Sequence, residues 1–275
     1  MFSLRYHLLS AIFCTYCTCA LAISEEDKTA FLNAADDGEV HIIENFLNQY
    51  ANEKQELMNA KDEDGFGPLH CACFTKTKGI AELLIKNGAD VHATSNEMAT
   101  PLHISCYEGN QDVAETLIKN GANVNAKSSE ELTPLHIACL MGHKNLVKLF
   151  IENGADIHAL DENGNTPLHF ASIGGRIPDE DFDDEEFKED FKAAINPGGY
   201  KEIVTLLLEN NAYINAQNIY GNTALHIASL TQDQEMIGLL IPAGASINIQ
   251  NNDGDTPLDL AFPKTQADET PKITI

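Results

Sequence analysis

The chain has 275 residues, of which 43% are apolar and 21% charged, and its 17 Lys and Arg face 42 Asp and Glu, for a formal net charge of −25. A balance this acidic argues against nucleic acid as a partner, because phosphates are met by clustered Lys and Arg, and against anionic membrane surfaces. The apolar content is too high for a disordered chain, which leaves an acidic globular or repeat protein.

The first residues have the pattern of a secretory signal peptide. Arg5 precedes an uncharged stretch over 8–22, which ends in the small-x-small sequence Ala-Leu-Ala, and acidic residues begin at Glu25. We predict a signal peptide over 1–22, a secreted or periplasmic protein, and no membrane contact once the leader is removed. The alternative is a membrane anchor formed by an uncleaved N-terminal segment, although about 15 uncharged residues fall short of the ~20 that a spanning helix needs.

A four-residue motif repeats along the rest of the chain. Thr-Pro-Leu-His occurs three times and close variants three more times, so that the six motifs are 67–70, 100–103, 133–136, 166–169, 223–226 and 256–259. Their fourth residues lie 33 apart, except for one step of 57 that equals one period plus an insertion of 24 residues. A second marker, Gly-Ala or Asn-Ala, follows each of the first five motifs at a matching distance once the insertion is allowed for. A period kept over most of the chain predicts stacked structural repeats.

Each unit has the pattern of two helices. Thr133 and Pro134 predict a helix start, because a hydroxyl caps free N–H groups and proline suits the first turn. A more apolar second helix follows Gly142, and Gly154 is placed to end it, since glycine adopts left-handed backbone angles cheaply. One unit cannot bury both helices alone, so the core must form by stacking.

The period of 33 and the tetrad resemble the ankyrin repeat. The resemblance implies an all-α solenoid of helix-turn-helix units with β-hairpin fingers. We expect five full repeats plus degenerate caps. The predicted segments are a degenerate N-terminal capping repeat over 25–60, five repeats over 61–250 with an acidic insertion at 176–199, a C-terminal half repeat over 251–263 and a mobile tail over 264–275.

Four residues depart from the repeat pattern, among them Gln232, which replaces the glycine between the two helices of the last full unit. Met98 and Glu131 occupy the position of the turn glycine, which predicts irregular fingers in those two units. Pro242 falls in the last turn of a second helix, where it should distort the helix end.

The recurring His and Cys residues are explained better by structure than by chemistry. Stacked units lie about 10 Å apart, so successive tetrad histidines cannot share a metal ion and successive cysteines cannot form a disulfide. In the ankyrin family this histidine hydrogen-bonds between loops. His136 and Cys139 could imitate a catalytic pair, but the same pair recurs in two other units, and a triplicated active site is implausible. We predict free thiols, no cofactor, no metal and no enzymatic activity; the alternative is that the repeats target an unrecognised hydrolase activity.

The insertion at 176–199 is the one segment that the repeat does not require. Phe187, Phe191, Ala194 and Ile195 would share one face of an amphipathic helix, which could lie on the flank of the solenoid. The alternative is an arm that binds a partner. Its contact residues would be Phe182, Phe187 and Phe191.

The same insertion leaves a calcium-responsive function open. Asp179, Asp181 and Asp183 have the spacing of calcium ligands. The calcium-loop formula, however, needs glycine where Asp184 stands.

The resemblance also implies a binding surface. In ankyrin-like solenoids the concave face is built from finger tips and first helices and binds other proteins. The residue four after each tetrad His belongs to that face by resemblance and is apolar in all five full units. The predicted groove residues are Phe66, Phe74, Tyr107, Leu132, Leu140, Met141, Leu160, Ile173, Tyr220 and Leu230. The carboxylates expected at its rim include Glu63, Asp64, Glu97, Glu108, Glu130, Glu131, Asp161 and Glu162.

Such a groove should hold a partner protein that carries an apolar stripe and basic flanks. The alternative is that these side chains only pack against neighbouring repeats. The sequence therefore predicts a monomeric, exported protein that binds another protein, as a bacterial effector or a periplasmic binder would.

Overall fold

The chain folds into successive pairs of helices. The computed structural model describes residues 23–75, 77–176, 192 and 194–262. The first unit holds three helices, which are α1 (Glu25–Asp36), α2 (Val40–Gln49) and α3 (Lys54–Met58). The next units are α4 (Pro68–Phe74) with α5 (Lys78–Lys86), α6 (Pro101–Tyr107) with α7 (Gln111–Lys119), and α8 (Pro134–Leu140) with α9 (Lys144–Glu152). They are followed by α10 (Pro167–Ala171) with α11 (Tyr200–Glu209), α12 (Ala224–Leu230) with α13 (Gln234–Leu240), and the single helix α14 (Pro257–Ala261).

The tetrad starts each first helix, as the sequence predicts. Thr133 is extended at the N-cap of α8, and its Oγ1 accepts a hydrogen bond from the N–H of His136 at 3.4 Å. Pro134 occupies the first helical position, where its missing N–H leaves no backbone bond unmade. The same arrangement recurs at Thr223, where alanine replaces the proline.

Stacking joins the units into a two-layer solenoid. First helices contact first helices, from α1 with α4 through to α12 with α14, and second helices contact second helices in a parallel layer. The buried residues form one cluster that runs through all the units, with Phe31, Leu102 and Leu225 among its members. The predicted all-α solenoid is therefore confirmed. In the described ranges no helix has the length and apolarity that crossing a membrane requires.

The fingers are turns rather than paired strands. The N–H of Asp62 donates to the carbonyl of Phe66 at 3.0 Å and closes the first finger, and no residue of the described ranges is in a β-strand. Each finger also donates one backbone bond to the finger before it, as Asn96 does to Asp64 at 2.9 Å and Asn252 to Tyr220 at 3.0 Å. These bonds hold the fingers side by side, so the predicted hairpins exist only as a row of linked turns.

The two fingers without glycine are regular, which corrects the expectation of irregular ones. Met98 and Glu131 adopt positive φ angles of 56° and 60°, close to those of glycine at the same position in other fingers. The N–H of Ser95 still donates to the carbonyl of Ala99 at 3.0 Å, so the turn keeps its bond. Left-handed angles cost an L-residue about 1 kcal/mol, and the bonds between fingers offset that cost.

Pro242 shortens its helix. Second helices α5, α7 and α9 have nine residues each, whereas α13 ends at Leu240 and has seven. The proline ring cannot follow the helical turn that precedes it, and the chain leaves the helix two residues early.

Candidate functional site

Five apolar side chains mark the ends of the first helices. They occupy one position, four residues after the tetrad histidine, and the first helices stack in order, so they form a column along the solenoid. Phe74 is 37% exposed and Leu230 55% exposed. Tyr107, Leu140 and Ile173 are half-buried between them. The column therefore presents apolar surface at both ends and partly covered side chains in the middle.

The fingers contribute the other predicted groove residues. Phe66 and Leu132 are half-buried at the bases of their fingers. Leu160 and Tyr220 are 48% and 55% exposed. Ile219 beside Tyr220 is equally exposed at 55%, so the apolar surface extends along the finger of that unit.

Met141 is not part of a groove surface, which corrects the prediction. Its side chain is fully buried, whereas its neighbour Leu140 is not. The chain that returns from the insertion covers this turn: the N–H of Asn196 donates to the carbonyl of Met141 at 2.8 Å, and the hydroxyl of Tyr200 donates to the carbonyl of Leu140 at 2.7 Å. A close approach at Gly142 fixes the same contact, because a Cβ there would collide with the carbonyl of Asn196.

The chain leaves for the insertion and returns from it at the end of the helices opposite the fingers. Each first helix begins after a finger and ends at the turn where, in the fourth full unit, the insertion leaves and returns. Arg176, at the start of the insertion, lies 3.6 Å from the carboxylate of Asp233 in the next unit. The predicted arm residues Phe182, Phe187 and Phe191 and the aspartates at 179, 181 and 183 are outside the described residues.

The finger rim is acidic, with one exception among the predicted carboxylates. Glu63, Glu97, Glu130 and Glu162 are exposed on successive fingers. Asp161 is instead buried, because its Oδ1 accepts the N–H groups of Asn163 and Asn165 at 3.0 and 2.6 Å. It shapes the turn and does not face a partner.

A cleft opens at the N-terminal end of the column. It has a volume of about 530 Å³ and lies between α1, the first finger and the end of α4. Phe66 and Phe74 form its aromatic wall, with ring centroids 5.9 Å apart at an interplanar angle of 80°. The α1 residues that line it are Thr29, Leu32, Asn33 and Asp36.

These α1 residues were not among the predicted site residues. Their spacing of three, four and seven places them on one helical face, and that spacing is a signal visible in the sequence. The sequence predicts this unit as a degenerate capping repeat over 25–60, but the unit lacks the tetrad from which the groove residues were counted, so no α1 residue was assigned to the groove.

The tetrad histidines tie each unit to the next. In the third full unit, Nδ1 of His136 accepts the N–H of Thr133 at 3.0 Å, and Nε2 donates to the carbonyls of Ala159 and Asn165 at 3.1 and 3.2 Å. Equivalent bonds from Nε2 reach the next unit at 3.0–3.1 Å from His70, His103, His169 and His226. The imidazoles are therefore neutral donors and acceptors between loops, as the resemblance implied.

Burial sets the protonation of these histidines. It lowers the pKa of His70 and of His136 to about 4, because the charged form would lose its hydration. The pKa values of His103, His169 and His226 are lowered for the same reason. Within the described ranges, no three His, Cys, Asp or Glu residues are grouped so as to hold a metal ion.

The four cysteines that the structure describes are buried. Cys71, Cys73, Cys106 and Cys139 are free thiols with little or no exposure. Burial raises the pKa of each of them, to about 12 for Cys71 and further for the other three. A thiol that resists ionisation is a poor nucleophile, so these residues act as small core side chains.

The comparison with protein families returns one match. A family described as "Ankyrin repeats (3 copies)" matches residues 7–95, 31–128, 102–178 and 191–268. The first of these ranges begins inside the predicted leader. The search of curated proteins returned no significant match.

Proposed function

The chain belongs to the ankyrin repeat family, whose repeats form protein-interaction modules, and from this premise we propose that it binds a partner protein through the groove between its fingers and first helices. The observation that carries the proposal is the column of apolar side chains at the ends of the first helices. Phe74 and Leu230 leave 37% and 55% of their surface exposed. Apolar side chains in register across five units form a contiguous surface of the kind that marks interaction sites.

The charge distribution supports a basic partner. Exposed carboxylates occur on successive fingers at Glu63, Glu97, Glu130 and Glu162, and the whole chain carries a net charge of −25. A partner with an apolar stripe and basic flanks would match both features and would associate faster at low salt.

We propose that the module is not an enzyme. The His–Cys pairs offer no nucleophile, because burial keeps the thiols protonated, and the histidines are already committed to backbone partners. The repeated His–Cys geometry serves stacking in the described residues of each unit that contains it, which supports a structural role for these pairs.

Export is the second element of the proposal. It is supported by the uncharged stretch over 8–22 and its small-x-small end. Cleavage after residue 22 would leave α1 intact, since Ile23 is buried in the core and Ser24 Oγ accepts the N–H of Asp27 at 3.1 Å. N-terminal sequencing of the exported protein should begin at Ile23, and a mature protein that retains Met1 would refute the cleavage.

Affinity capture tests the groove. A tagged full-length chain should capture a partner that the Tyr107→Ala plus Leu140→Ala variant fails to retain. The matched control is Tyr213→Ala, which removes a tyrosine that is 67% exposed and lies outside the groove residues. Both variants must unfold cooperatively near the wild-type midpoint. Retention of the partner by the groove variant, or its equal loss in the control, would refute binding through the groove.

A further inference from the structure

The cleft at the N-terminal end of the column combines two kinds of wall. One is apolar, formed by Leu32, Phe66 and Phe74, and the other is acidic, formed by Asp36, Asp62 and Glu63. Phe74 keeps 37% of its surface exposed and Leu32 keeps 6%, so the floor is covered while an aromatic edge stays open to a ligand.

Among the described residues no ion pair neutralises the acidic wall, although Oδ1 of Asp62 accepts the N–H groups of Asp64 and Phe66 at 3.0 and 2.8 Å. Partial loss of hydration in the cleft and the charges of Asp37 and Asp62 raise the pKa of Asp36, so the carboxylates repel one another there. Asp36 makes no ion pair with any residue that the structure describes. Lys61 is the one cation among the described residues that line the cleft, and its Nζ donates to the carbonyl of Thr94 in the next unit at 2.7 Å.

A cationic side chain of a partner protein would therefore contact an aromatic ring and carboxylates in the same cleft. An arginine side chain can lay its planar guanidinium against an aromatic ring and direct its N–H groups at carboxylates. A lysine ammonium is more strongly hydrated and lacks the planar fork, so it would fit this arrangement less well.

We propose that this cleft anchors an arginine side chain of the partner protein, between the aromatic pair Phe66 and Phe74 and the carboxylate of Asp36. The proposal rests on the proposed function and deepens it, since it fixes one end of the partner on the solenoid. In the partner segment an apolar residue stands next to the arginine. This apolar residue lies along the column, in the direction of Tyr107.

The probe for this proposal is a set of matched peptides. The first is a fluorescein-labelled peptide of twelve residues with Leu-Arg-Ser repeated four times, and two others replace every Arg by Lys or by Glu. Their binding to the full-length chain is followed by fluorescence anisotropy. We expect the Arg peptide to bind most tightly, the Lys peptide about threefold more weakly, and the Glu peptide not to bind.

Two pairs of variants locate the site. Asp36→Asn should weaken the Arg peptide about fivefold, whereas Asp37→Asn, which removes the same charge from the adjacent exposed residue, should have less than a twofold effect. Phe74→Ala should weaken it about tenfold, whereas Tyr213→Ala, which removes an exposed aromatic ring outside the groove residues, should have less than a twofold effect. Asp36 is exposed, so its variant should fold normally and is checked by circular dichroism.

The outcomes separate the anchor from the groove. Equal effects of Asp36→Asn and Asp37→Asn would show that the peptide responds to the net electrostatic field of the protein. The proposal of an arginine anchor in the cleft would then be wrong. Unchanged binding in Phe74→Ala, or an equal loss in Phe74→Ala and Tyr213→Ala, would also overturn the anchor while leaving groove binding in place. Failure of the Arg peptide to bind the wild-type chain, or equal binding of the Lys peptide, would overturn it too. The groove itself is tested separately, by whether the captured partner is lost from Tyr107→Ala plus Leu140→Ala and retained by Tyr213→Ala.

Discussion

The tetrad histidines make a quantitative prediction for stability against pH. His136 is fully buried, and its ring joins Thr133 to the loop of the following unit through Ala159 and Asn165. His136→Gln removes the titrating ring and part of this bonding. At pH 8 the variant should be less stable than the wild type by about 2–3 kcal/mol, because at least one buried backbone group loses its partner.

The difference in free energy of unfolding between the wild type and His136→Gln should become smaller on acidification. The folded-state pKa of His136 is about 4, below the ordinary value near 6.5 of an exposed histidine. The unfolded chain therefore binds a proton between pH 6.5 and pH 4 that the folded chain excludes, and the wild type loses stability as pH falls through this window. The difference between the folded-state and unfolded-state pKa values lowers the free energy of unfolding of the wild type by about 2 kcal/mol at pH 5. The variant lacks the ring, so its stability should approach or equal that of the wild type at this pH.

Urea unfolding followed by circular dichroism at pH 8, 6.5 and 5 measures this stability difference. Acidification also reduces the electrostatic self-repulsion of a chain with a net charge of −25. This change affects wild type and variant equally, so it cancels when the two proteins are compared at the same pH. His41→Gln is the matched control, since the side chain of His41 is 74% exposed. If the stability difference between the wild type and His136→Gln stays constant or widens between pH 8 and pH 5, His136 is not held neutral by burial.

Three further predictions follow from the packing. Gly142→Ala should cost about 1–3 kcal/mol more than Gly154→Ala, because both have positive φ but only the first would collide with the returning insertion; equal costs would argue against that contact. Met98→Gly should stabilise the protein by about 0.5–1 kcal/mol, because it relieves a left-handed angle, and a loss in thermal unfolding would contradict this. Cys106 and Cys139 should resist thiol reagents at pH 8 until the chain unfolds, and mass spectrometry showing rapid labelling or a disulfide in the native protein would refute their burial.

The periodic part of the fold was predictable because its signals are local. A threonine before a proline fixes a helix start at Pro134, and the shortened end of α13 follows from Pro242 alone. The spacing of 33 then implies that one unit's contacts recur in the others. The period showed that the residue four after each histidine is apolar in all five full units, and the resemblance to ankyrin repeats placed that position on the concave face.

The site was predicted less completely, because exposure depends on what distant chain packs against a residue. Leu140 and Met141 are adjacent and equally apolar, and nothing local distinguishes them. Contacts from Asn196 and Tyr200, more than fifty residues later, cover this turn. Asp161 likewise resembles its acidic neighbours in sequence, but its carboxylate accepts hydrogen bonds from backbone N–H groups of its own turn.

The amino-acid sequence by itself determined the repeat, the helix starts and the column of apolar positions, since these depend on backbone preferences and on a period that neighbouring residues encode. Only the tertiary structure decided which of those positions remain open and where a ligand could enter. The cleft exists because α1 of an atypical first unit packs beside α4 and brings Asp36 opposite Phe66 and Phe74. That meeting depends on the packing of helices across units, which no local pattern specifies.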